Sequence, residues 1–320
     1  MKWTEIKKPI LGLAPMADMT DSPFCRIMRE IGGADVLFRE MVSSEALVRN
    51  SEKTLKMTSF VEKERPTVQQ IFGSNPEVMA RAARIILDKY NPEGIDINMG
   101  CPVYKMTSNF NGAALMKDPE LIGKIVKAVK TEIGDVPLSA KIRLGWSDPD
   151  QFKKIIPVLE ENGVGLISIH GRTKDQGYSG KSDWNRIAEA KKMTNVPLLA
   201  NGDINTPELV DEVLKITKAD GVLIGRGALG NPWFFYQYKN PEKNITLEDR
   251  IKMIKKHAKL HIDFYGERGI VTFRKHLAWY FKVDKIGENI PKIKEFRSKL
   301  VRVESLVEME EYLSILLHKK

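Results

Sequence analysis

Polar side chains that could do chemistry follow short apolar segments along this 320-residue chain. Each segment has the length and composition of a buried strand. If the strands are parallel, their carboxyl ends meet at one face, where binding and catalytic groups gather. The residues at these positions are Met16, Glu40, Gln70, Asn98, Cys101, Lys141, Arg143, His170, Arg172, Asn201, Asp203 and Arg226.

Cys101, one of only two cysteines, lies in the turn DINMGCP at residues 96–102. A neutral thiol, with an ordinary pKa of about 8.5, can donate a proton at neutral pH, and a thiolate can act as a nucleophile. Both roles stay open, because a nucleophile needs a nearby histidine that the sequence does not place. Cys25 lies at helical spacing beside apolar residues, and we expect it in the core.

Two glycine-containing turns, NGD at 201–203 and GRG at 225–227, follow the last two strand-like segments. In barrels of alternating strands and helices, this is a common phosphate-binding position. Glycine lets backbone N–H groups approach a phosphate, and Arg226 adds a charged bidentate donor. Either motif alone is explained by a tight turn, whereas their joint position favours a phosphate site.

Lys141 interrupts an otherwise apolar strand-like segment, so its side chain enters the barrel mouth or the strand prediction is wrong. A buried lysine needs an anionic partner. The pyrimidine part of a reduced flavin is one such partner, with His170 and Gln70 as further polar contacts. A Schiff base is the competing role. His170 is also compatible with a hydrogen-bonded core histidine.

Eight strand-like segments alternate with segments of helical periodicity, which predicts a (β/α)₈ barrel rather than a doubly wound open sheet. Two helices have clear starts, one at Asn75 before Pro76 and one at Asp118. The strand-like segments are 11–14, 35–38, 67–72, 94–98, 137–142, 165–169, 197–200 and 221–225.

The pattern changes near residue 240, after which no strand-like segment remains. Thr246 is a candidate N-cap, Gly266 a candidate helix end, and segments 269–283, 290–302 and 304–318 are predicted helices. We therefore predict a barrel domain over 1–240 and a small all-helical domain over 241–320.

The formal charge of +9 is concentrated in the C-terminal segment. Residues 250–302 hold 15 Lys and Arg against 5 Asp and Glu, a local charge of +10, which leaves −1 for the remainder. This asymmetry is typical of a protein with a polyanionic partner such as nucleic acid, although a solvated lysine-rich helix face has the same signature.

Several classes of protein are disfavoured by composition. No apolar run approaches the roughly 20 residues of a membrane span. The N-terminal residues superficially resemble a secretory signal, but PILGLAP is equally a buried strand. Two cysteines form at most one disulfide and no zinc-site spacing, so we expect a cytoplasmic protein without a metal site.

Motifs along nearly the whole chain resemble the tRNA-dihydrouridine synthases, flavin enzymes that reduce specific uridines in transfer RNA. DINMGCP, IHGRT and GRGALGNPW in this order are the most specific. The other resembling motifs are LAPMADMTDSPFCR, EMVSSEAL, QIFGSNPE, GAALM, KIRLGW, NGDI and FRKHLAWY.

The resemblance implies FMN as cofactor, NADPH as its reductant and Cys101 as the proton donor. Hydride would pass to C6 of the uracil and the Cys101 proton to C5, after the base has been turned out of its stack. The implied FMN-binding residues are Pro15, Met16, Ala17, Gln70, Lys141, His170, Asn201, Gly202, Asp203, Gly225 and Arg226.

The same resemblance implies an RNA interface. Asn98 and Lys105 would contact the uracil or its ribose, and Arg143 and Arg172 are candidates for phosphate. Transfer RNA would lie against the helical domain, and no obligate protein partner is expected. Phosphate contacts would come from a stripe at helical spacing formed by Lys252, Lys255, Lys256 and Lys259.

The chain departs from the family pattern at a few positions. Arg39 replaces a small hydroxyl residue near the expected mouth, Gly227 replaces alanine, and NFNGAALM carries bulkier residues than usual. Two other functions remain open: a flavin-dependent dihydroorotate or dihydropyrimidine dehydrogenase, and a tRNA-binding protein without catalysis. A dehydrogenase of a free pyrimidine would not need the basic helical segment.

Overall fold

Eight parallel strands form a closed barrel in the computed structural model, which describes residues 1–282 and 292–317. Each strand pairs with the next, and the last pairs with the first from Ile10 with Gly221 to Leu13 with Ile224. The predicted (β/α)₈ barrel is confirmed. The strands are β1 (Ile10–Leu13), β2 (Val36–Ser43), β3 (Thr67–Phe72), β4 (Gly94–Met99), β5 (Leu138–Arg143), β6 (Leu166–His170), β7 (Leu198–Asn201) and β8 (Gly221–Ile224).

Helices surround the barrel and continue beyond it. Within the described part of the chain, none has both the length and the apolar character needed to cross a membrane. They are α1 (Ser22–Ile31), α2 (Ser44–Val48), α3 (Glu52–Thr58), α4 (Pro76–Tyr90), α5 (Tyr104–Thr107), α6 (Pro119–Ile133), α7 (Phe152–Glu161), α8 (Trp184–Lys192), α9 (Leu209–Thr217), α10 (Phe234–Lys239), α11 (Leu247–Tyr265), α12 (Gly269–Tyr280), α13 (Ile293–Leu300) and α14 (Leu306–Leu317), with 3₁₀ turns at Trp3–Glu5, Glu62–Glu64 and Gly112–Lys117.

Local side-chain caps start the helices where the sequence predicts them. Asn75 accepts a hydrogen bond from the Val78 N–H at 3.0 Å, and Asp118 accepts one from the Leu121 N–H at 2.9 Å. Thr246 forms a capping box with Asp249. These side chains satisfy N–H groups that have no partner inside the first helical turn.

The apolar run near the N-terminus is β1, buried along its whole length. Below it, the Trp3 ring stacks on Phe38 with 6.0 Å between centroids and closes the amino-terminal end of the barrel. Cys25 lies in the core between strands and helices, as predicted. The opposite end of the barrel is left to form the site.

Helices α11 to α14 enclose a second hydrophobic cluster, so the predicted helical C-terminal region is confirmed. This region packs on the barrel through α11 against α1. A Cβ added at Gly230, after β8, would overlap the Trp279 carbonyl of α12. Positions 283, 290, 291 and 318 of the predicted helices lie outside the described residues. The division at 240 and 241 into two domains stays a prediction.

Candidate active site

A cavity of about 360 Å³ opens at the carboxyl ends of the strands. This volume is within the range of small-molecule sites, roughly 300 to 1,000 Å³. Most of the predicted site residues line it, namely Pro15, Met16, Ala17, Asn98, Cys101, Lys141, Arg143, His170, Asn201, Gly202, Asp203, Gly225 and Arg226.

The turn that carries Cys101 is held from two sides. Asn98 Oδ1 accepts hydrogen bonds from the N–H groups of Gly100 at 3.2 Å and Cys101 at 3.0 Å. On the other side, Gly112 has a φ of +61°, and a Cβ there would lie 2.9 Å from the Cys101 carbonyl oxygen. Only glycine suits both that backbone conformation and that approach. The half-buried thiol is therefore fixed at the cavity wall.

The environment of Cys101 favours its protonated form. Burial raises the pKa of the thiol, although the Val103 backbone and the cations of Lys141 and Arg143 act in the opposite direction. Burial has this effect because it disfavours the charged thiolate. Cys101 is therefore a thiol at neutral pH, which suits a proton donor better than a nucleophile.

A buried hydrogen-bond network lies beneath the Cys101 turn. Asn98 Nδ2 donates to Gln70 Oε1 at 2.8 Å, Gln70 Nε2 donates to Asp96 at 2.6 Å, and Ser139 donates to the other Asp96 oxygen at 2.6 Å. Burial raises the pKa of Asp96 to about 6 despite these bonds. Gln70 was predicted in the cofactor site, but it lies outside the cavity lining and supports Asn98.

Lys141 extends from β5 into the cavity, so the strand prediction and the placement at the mouth are both confirmed. Burial lowers its pKa to about 8, with Arg143 acting in the same direction and Asp96 and Cys101 opposing. At neutral pH the amine is still mostly protonated. A partly desolvated cation facing a cavity is stabilised by an anionic ligand.

His170 is a neutral imidazole whose tautomer is fixed by Arg172. Arg172 Nη1 lies 3.2 Å from His170 Nε2, and because a guanidinium only donates, Nε2 accepts and the ring proton lies on Nδ1. The pKa of His170 is well below its ordinary value because of burial first and then the nearby cations of Lys141 and the arginines. The ring can thus donate a hydrogen bond into the cavity without carrying charge.

The two predicted phosphate ligands from β5 and the loop after β6 are committed to the protein itself. Arg172 is buried outside the cavity lining, and its Nη2 donates to Asp203 at 2.7 Å and to the Gly180 carbonyl at 2.6 Å. Arg143 lines the cavity, but its Nε donates to the Gly100 carbonyl at 2.7 Å and its Nη1 to the Thr173 carbonyl at 2.9 Å. These arginines shape the loops rather than present a guanidinium to solvent.

The other end of the cavity offers an open backbone and an accessible cation. A Cβ at Gly225 would make no contact closer than 3.5 Å, so the backbone can be approached from the cavity. Gly202 has a φ of +116°, and a Cβ there would lie 2.7 Å from His170 Cδ2. Arg226 is 42% exposed and lies 3.7 Å from Asp203. The set fits an anionic group such as a phosphate.

Two aromatic residues in the lining were missed by the sequence analysis. Tyr178 is 59% exposed, and the guanidinium carbons of Arg143 and Arg226 lie 5.6 Å and 4.8 Å from its ring centroid. Trp279 comes from α12, so the helical region contributes to the cavity wall. Tyr178 follows no periodic segment, and only FRKHLAWY marks Trp279.

Arg39 is not at the mouth, and that expectation is wrong. Its side chain is fully buried and donates to the carbonyl groups of Met57, Thr58 and Ser59, with Glu64 at 3.9 Å. Position 39 faces away from the barrel interior, where a guanidinium can saturate the end of α3. Arg39 is thus part of the scaffold.

The predicted RNA-contacting lysines lie outside the cavity. Lys105 is exposed on α5, next to the Cys101 turn. Two lysines of the α11 stripe already have carboxylate partners, Lys256 with Glu30 of α1 and Lys259 with Glu310 of α14 at 3.9 Å. The other two members of the stripe are Lys252, which is exposed, and Lys255, which is half-buried.

Solved structures of similar architecture support the fold. The old yellow enzyme from Trypanosoma cruzi aligns with a TM-score of 0.59 and 10% identity over 77% of this chain and 92% of that chain. An old yellow enzyme homologue from Zymomonas mobilis aligns with a TM-score of 0.54 and 13% identity over 77% and 93%. At such identity the likeness concerns the barrel alone.

Sequence comparison identifies closer relatives. A probable tRNA-dihydrouridine synthase of Aquifex aeolicus (strain VF5) is 35% identical over 307 residues, which cover 95% of this chain and 94% of that protein. The tRNA-dihydrouridine synthase B of Pseudomonas syringae pv. tomato (strain ATCC BAA-871 / DC3000) is 36% identical over 92% of this chain and 87% of that protein. The family model for dihydrouridine synthase (Dus) matches residues 12–319. The chain therefore belongs to the dihydrouridine synthase family.

Proposed function

We propose that this protein is a tRNA-dihydrouridine synthase that reduces the C5–C6 double bond of specific uridines in tRNA. FMN is its cofactor, NADPH its reductant and Cys101 its proton donor. The observation that carries the proposal is a protonated thiol fixed on the wall of a cation-lined cavity, in a chain of this family. Its place of action is the cytoplasm, and no protein partner is required.

The cavity residues fit a flavin mononucleotide. Lys141 and the neutral His170 would face the polar edge of the isoalloxazine ring, and the cation of Lys141 suits the negative charge that the pyrimidine part carries on reduction. Gly225 and Arg226 would hold the phosphate, together with the 201–203 turn. FMN reduced by NADPH supplies the hydride that uracil C6 receives.

Cys101 completes the addition of two hydrogens. Its S–H bond breaks as C5 of the uracil takes the proton, and the thiolate regains a proton from solvent before the next turnover. The raised pKa keeps the thiol protonated between turnovers, while Lys141 and Arg143 stabilise the transient thiolate. Asn98, fixed by Gln70, holds the turn so that the thiol stays in place.

The target base must leave its stack to enter the cavity, because a stacked uracil cannot reach groups inside a barrel mouth. The basic helical region, residues 241–320, would hold the body of the tRNA through phosphate contacts that position it without specifying sequence. Lys252 and Lys255 would act directly, and Lys256 and Lys259 would exchange their carboxylate partners for phosphate. Lys105 and Asn98 would contact the uracil or its ribose.

The test is dihydrouridine mapping with matched variants. Purified protein should show flavin absorbance and form dihydrouridine in unmodified tRNA with NADPH. Cys101→Ala should keep the absorbance and lose most of the product, whereas Cys25→Ala, at the other and buried cysteine, should keep both. A yellow protein inactive on tRNA but active on a free pyrimidine would point to the dehydrogenase alternative, and a colourless tRNA-binding protein would refute the catalytic proposal.

A further inference from the structure

A second cluster of buried polar side chains lies where the barrel meets the helical region. Asp21 at the start of α1, His257 and His261 on α11, and His276 on α12 are each at most 2% exposed. One ligand atom from each of the four lies within 4.8 Å of the other three. None of them lines the cavity described above. The dihydrouridine synthase reaction proposed here does not use them.

Each of the three histidines has one buried ring nitrogen without a hydrogen-bond partner among the residues that the structure describes. These are Nε2 of His257, Nδ1 of His261 and Nε2 of His276. The second nitrogen of His257 bonds to the Tyr280 hydroxyl at 2.9 Å, and that of His261 to the Thr272 hydroxyl at 2.9 Å. Such buried, unsatisfied nitrogens are rare in folded proteins, and several pointing to one place indicate an absent partner.

The tautomer of His261 strengthens this inference. The Thr272 hydroxyl donates to the Gly269 carbonyl at 3.1 Å, so it accepts from His261 Nε2–H. His261 Nδ1 is then an unprotonated lone pair, and it lies 3.4 Å from Asp21 Oδ2. Two acceptors facing each other in a buried site repel, unless a positive charge lies between them.

We propose that Asp21, His257, His261 and His276 bind a divalent transition metal, zinc by preference. Three imidazoles and one carboxylate form a four-coordinate set that suits zinc, and the absence of an open fifth side is typical of a structural rather than a catalytic ion. Zinc ligands at about 2.0 to 2.2 Å from the ion lie roughly 3.3 Å apart at tetrahedral angles. The side chains would therefore close in by small rotations when the ion binds.

The surroundings resemble the outer shell of a metal site. Nδ1–H of His257 would donate to Tyr280 and Nε2–H of His261 to Thr272, while Tyr265 donates to Asp21 at 3.1 Å. Outer hydrogen bonds of this kind orient metal ligands.

The charge state of the ligands also suits a metal. Burial keeps the imidazoles neutral and lowers the pKa of His261 to about 3, with Lys275 acting in the same direction, so no proton has to be displaced. Lys275 opposes a bound cation, and the Asp21 carboxylate offsets part of the charge of the ion.

The bound ion would join three helices. Asp21 caps α1 through the Phe24 N–H at 3.0 Å, while the histidines belong to α11 and α12. Since α12 also carries Trp279 of the cavity wall, the ion would fix the helical region relative to the active site. Its role is positional, and no step of the proposed reaction passes through it.

The first test measures metal content in untagged protein by inductively coupled plasma mass spectrometry. We expect near-stoichiometric zinc in the wild type, and a loss in His261→Gln and His276→Gln. His170→Gln and Cys101→Ala, which alter a histidine and a thiol elsewhere, should retain it. Metal that survives in both cluster variants is bound elsewhere and would overturn the proposal.

The second test does not depend on the variants folding. Chelator-treated wild type titrated with Co²⁺ should develop the visible bands of a four-coordinate ion without thiolate charge transfer, and added zinc should raise its unfolding temperature. Thr272→Val, which removes only the partner of His261 Nε2, should weaken the zinc affinity by about 10- to 100-fold. No bands and no thermal shift in the wild type would mean that a proton or a trapped water occupies the cluster. All these readouts are independent of dihydrouridine formation.

Discussion

Replacing Lys141 with methionine is expected to stabilise the flavin-free protein while weakening flavin binding. The lysine lies in β5 among apolar strand residues, and burial is the first cause of its lowered pKa. The folded chain therefore disfavours the charged amine at neutral pH. Methionine has a similar volume and no charge to desolvate, so it removes this penalty together with the partner of the flavin.

The size and pH dependence follow from the pKa. A fall from an ordinary value of about 10.5 to about 8 corresponds to roughly 3 kcal/mol at about 1.4 kcal/mol per unit. Contact with cavity water reduces the expected gain to about 1 to 3 kcal/mol. Below pH 8 both states are protonated and the penalty is complete. Between pH 8 and 10.5 the unfolded state binds more protons, so the wild type gains stability as the pH rises and the difference shrinks.

The assay is urea unfolding of the flavin-free wild type and Lys141→Met at pH 7 and pH 10. Taking the difference between the two proteins cancels the titration of other groups. Lys127→Met, at an exposed position on α6, is the control for loss of surface charge and should change the free energy of unfolding little. A Lys141→Met protein no more stable than the wild type at pH 7, or one whose advantage is unchanged at pH 10, would refute the reasoning.

Three further outcomes are expected. Gly112→Ala should displace the Cys101 turn and lower the rate of dihydrouridine formation by on the order of a hundredfold with flavin absorbance retained, whereas Gly134→Ala, with a similar φ of +60° but open space, should not change the rate. The rate should stay level from neutral pH to the raised pKa of the Cys101 thiol and fall only on the alkaline side, a fall that Cys101→Ser should move upward in a rate-pH profile. Lys252→Gln and Lys255→Gln should each reduce the salt dependence of tRNA affinity, log K against log salt, by about 1 without affecting flavin content, and an unchanged slope would exclude them from the interface.

The barrel and its mouth were predictable because their signals are local. A buried parallel strand is a short apolar run, and the residue after it lies at the carboxyl end whatever the rest of the chain does. The caps at Asn75, Asp118 and Thr246 also act within three or four residues. Lys141 was recognisable because a charge in an apolar strand has few explanations.

The orientation and partners of each mouth residue were not predictable. Arg172 and Arg143 occupy strand-end positions like Lys141, but their guanidinium groups bond to Asp203 and to carbonyl groups of loops. Such partners are brought close only by the tertiary fold. Arg39 shows the same limit, because one step along a strand separates the barrel interior from the helix layer.

The histidine cluster shows why a search for cysteine spacing overlooks a site of this kind. His257 and His261 are four residues apart on one face of α11, a spacing that allows two imidazoles to share an ion. His276 comes from the next helix, and Asp21 from the far end of the chain. Because α12 places His276 in the cluster and Trp279 in the cavity wall, three residues apart, a disturbance of the cluster should reach the mouth through a single turn of helix. The geometry of the site is therefore set partly by side chains that the proposed chemistry never touches.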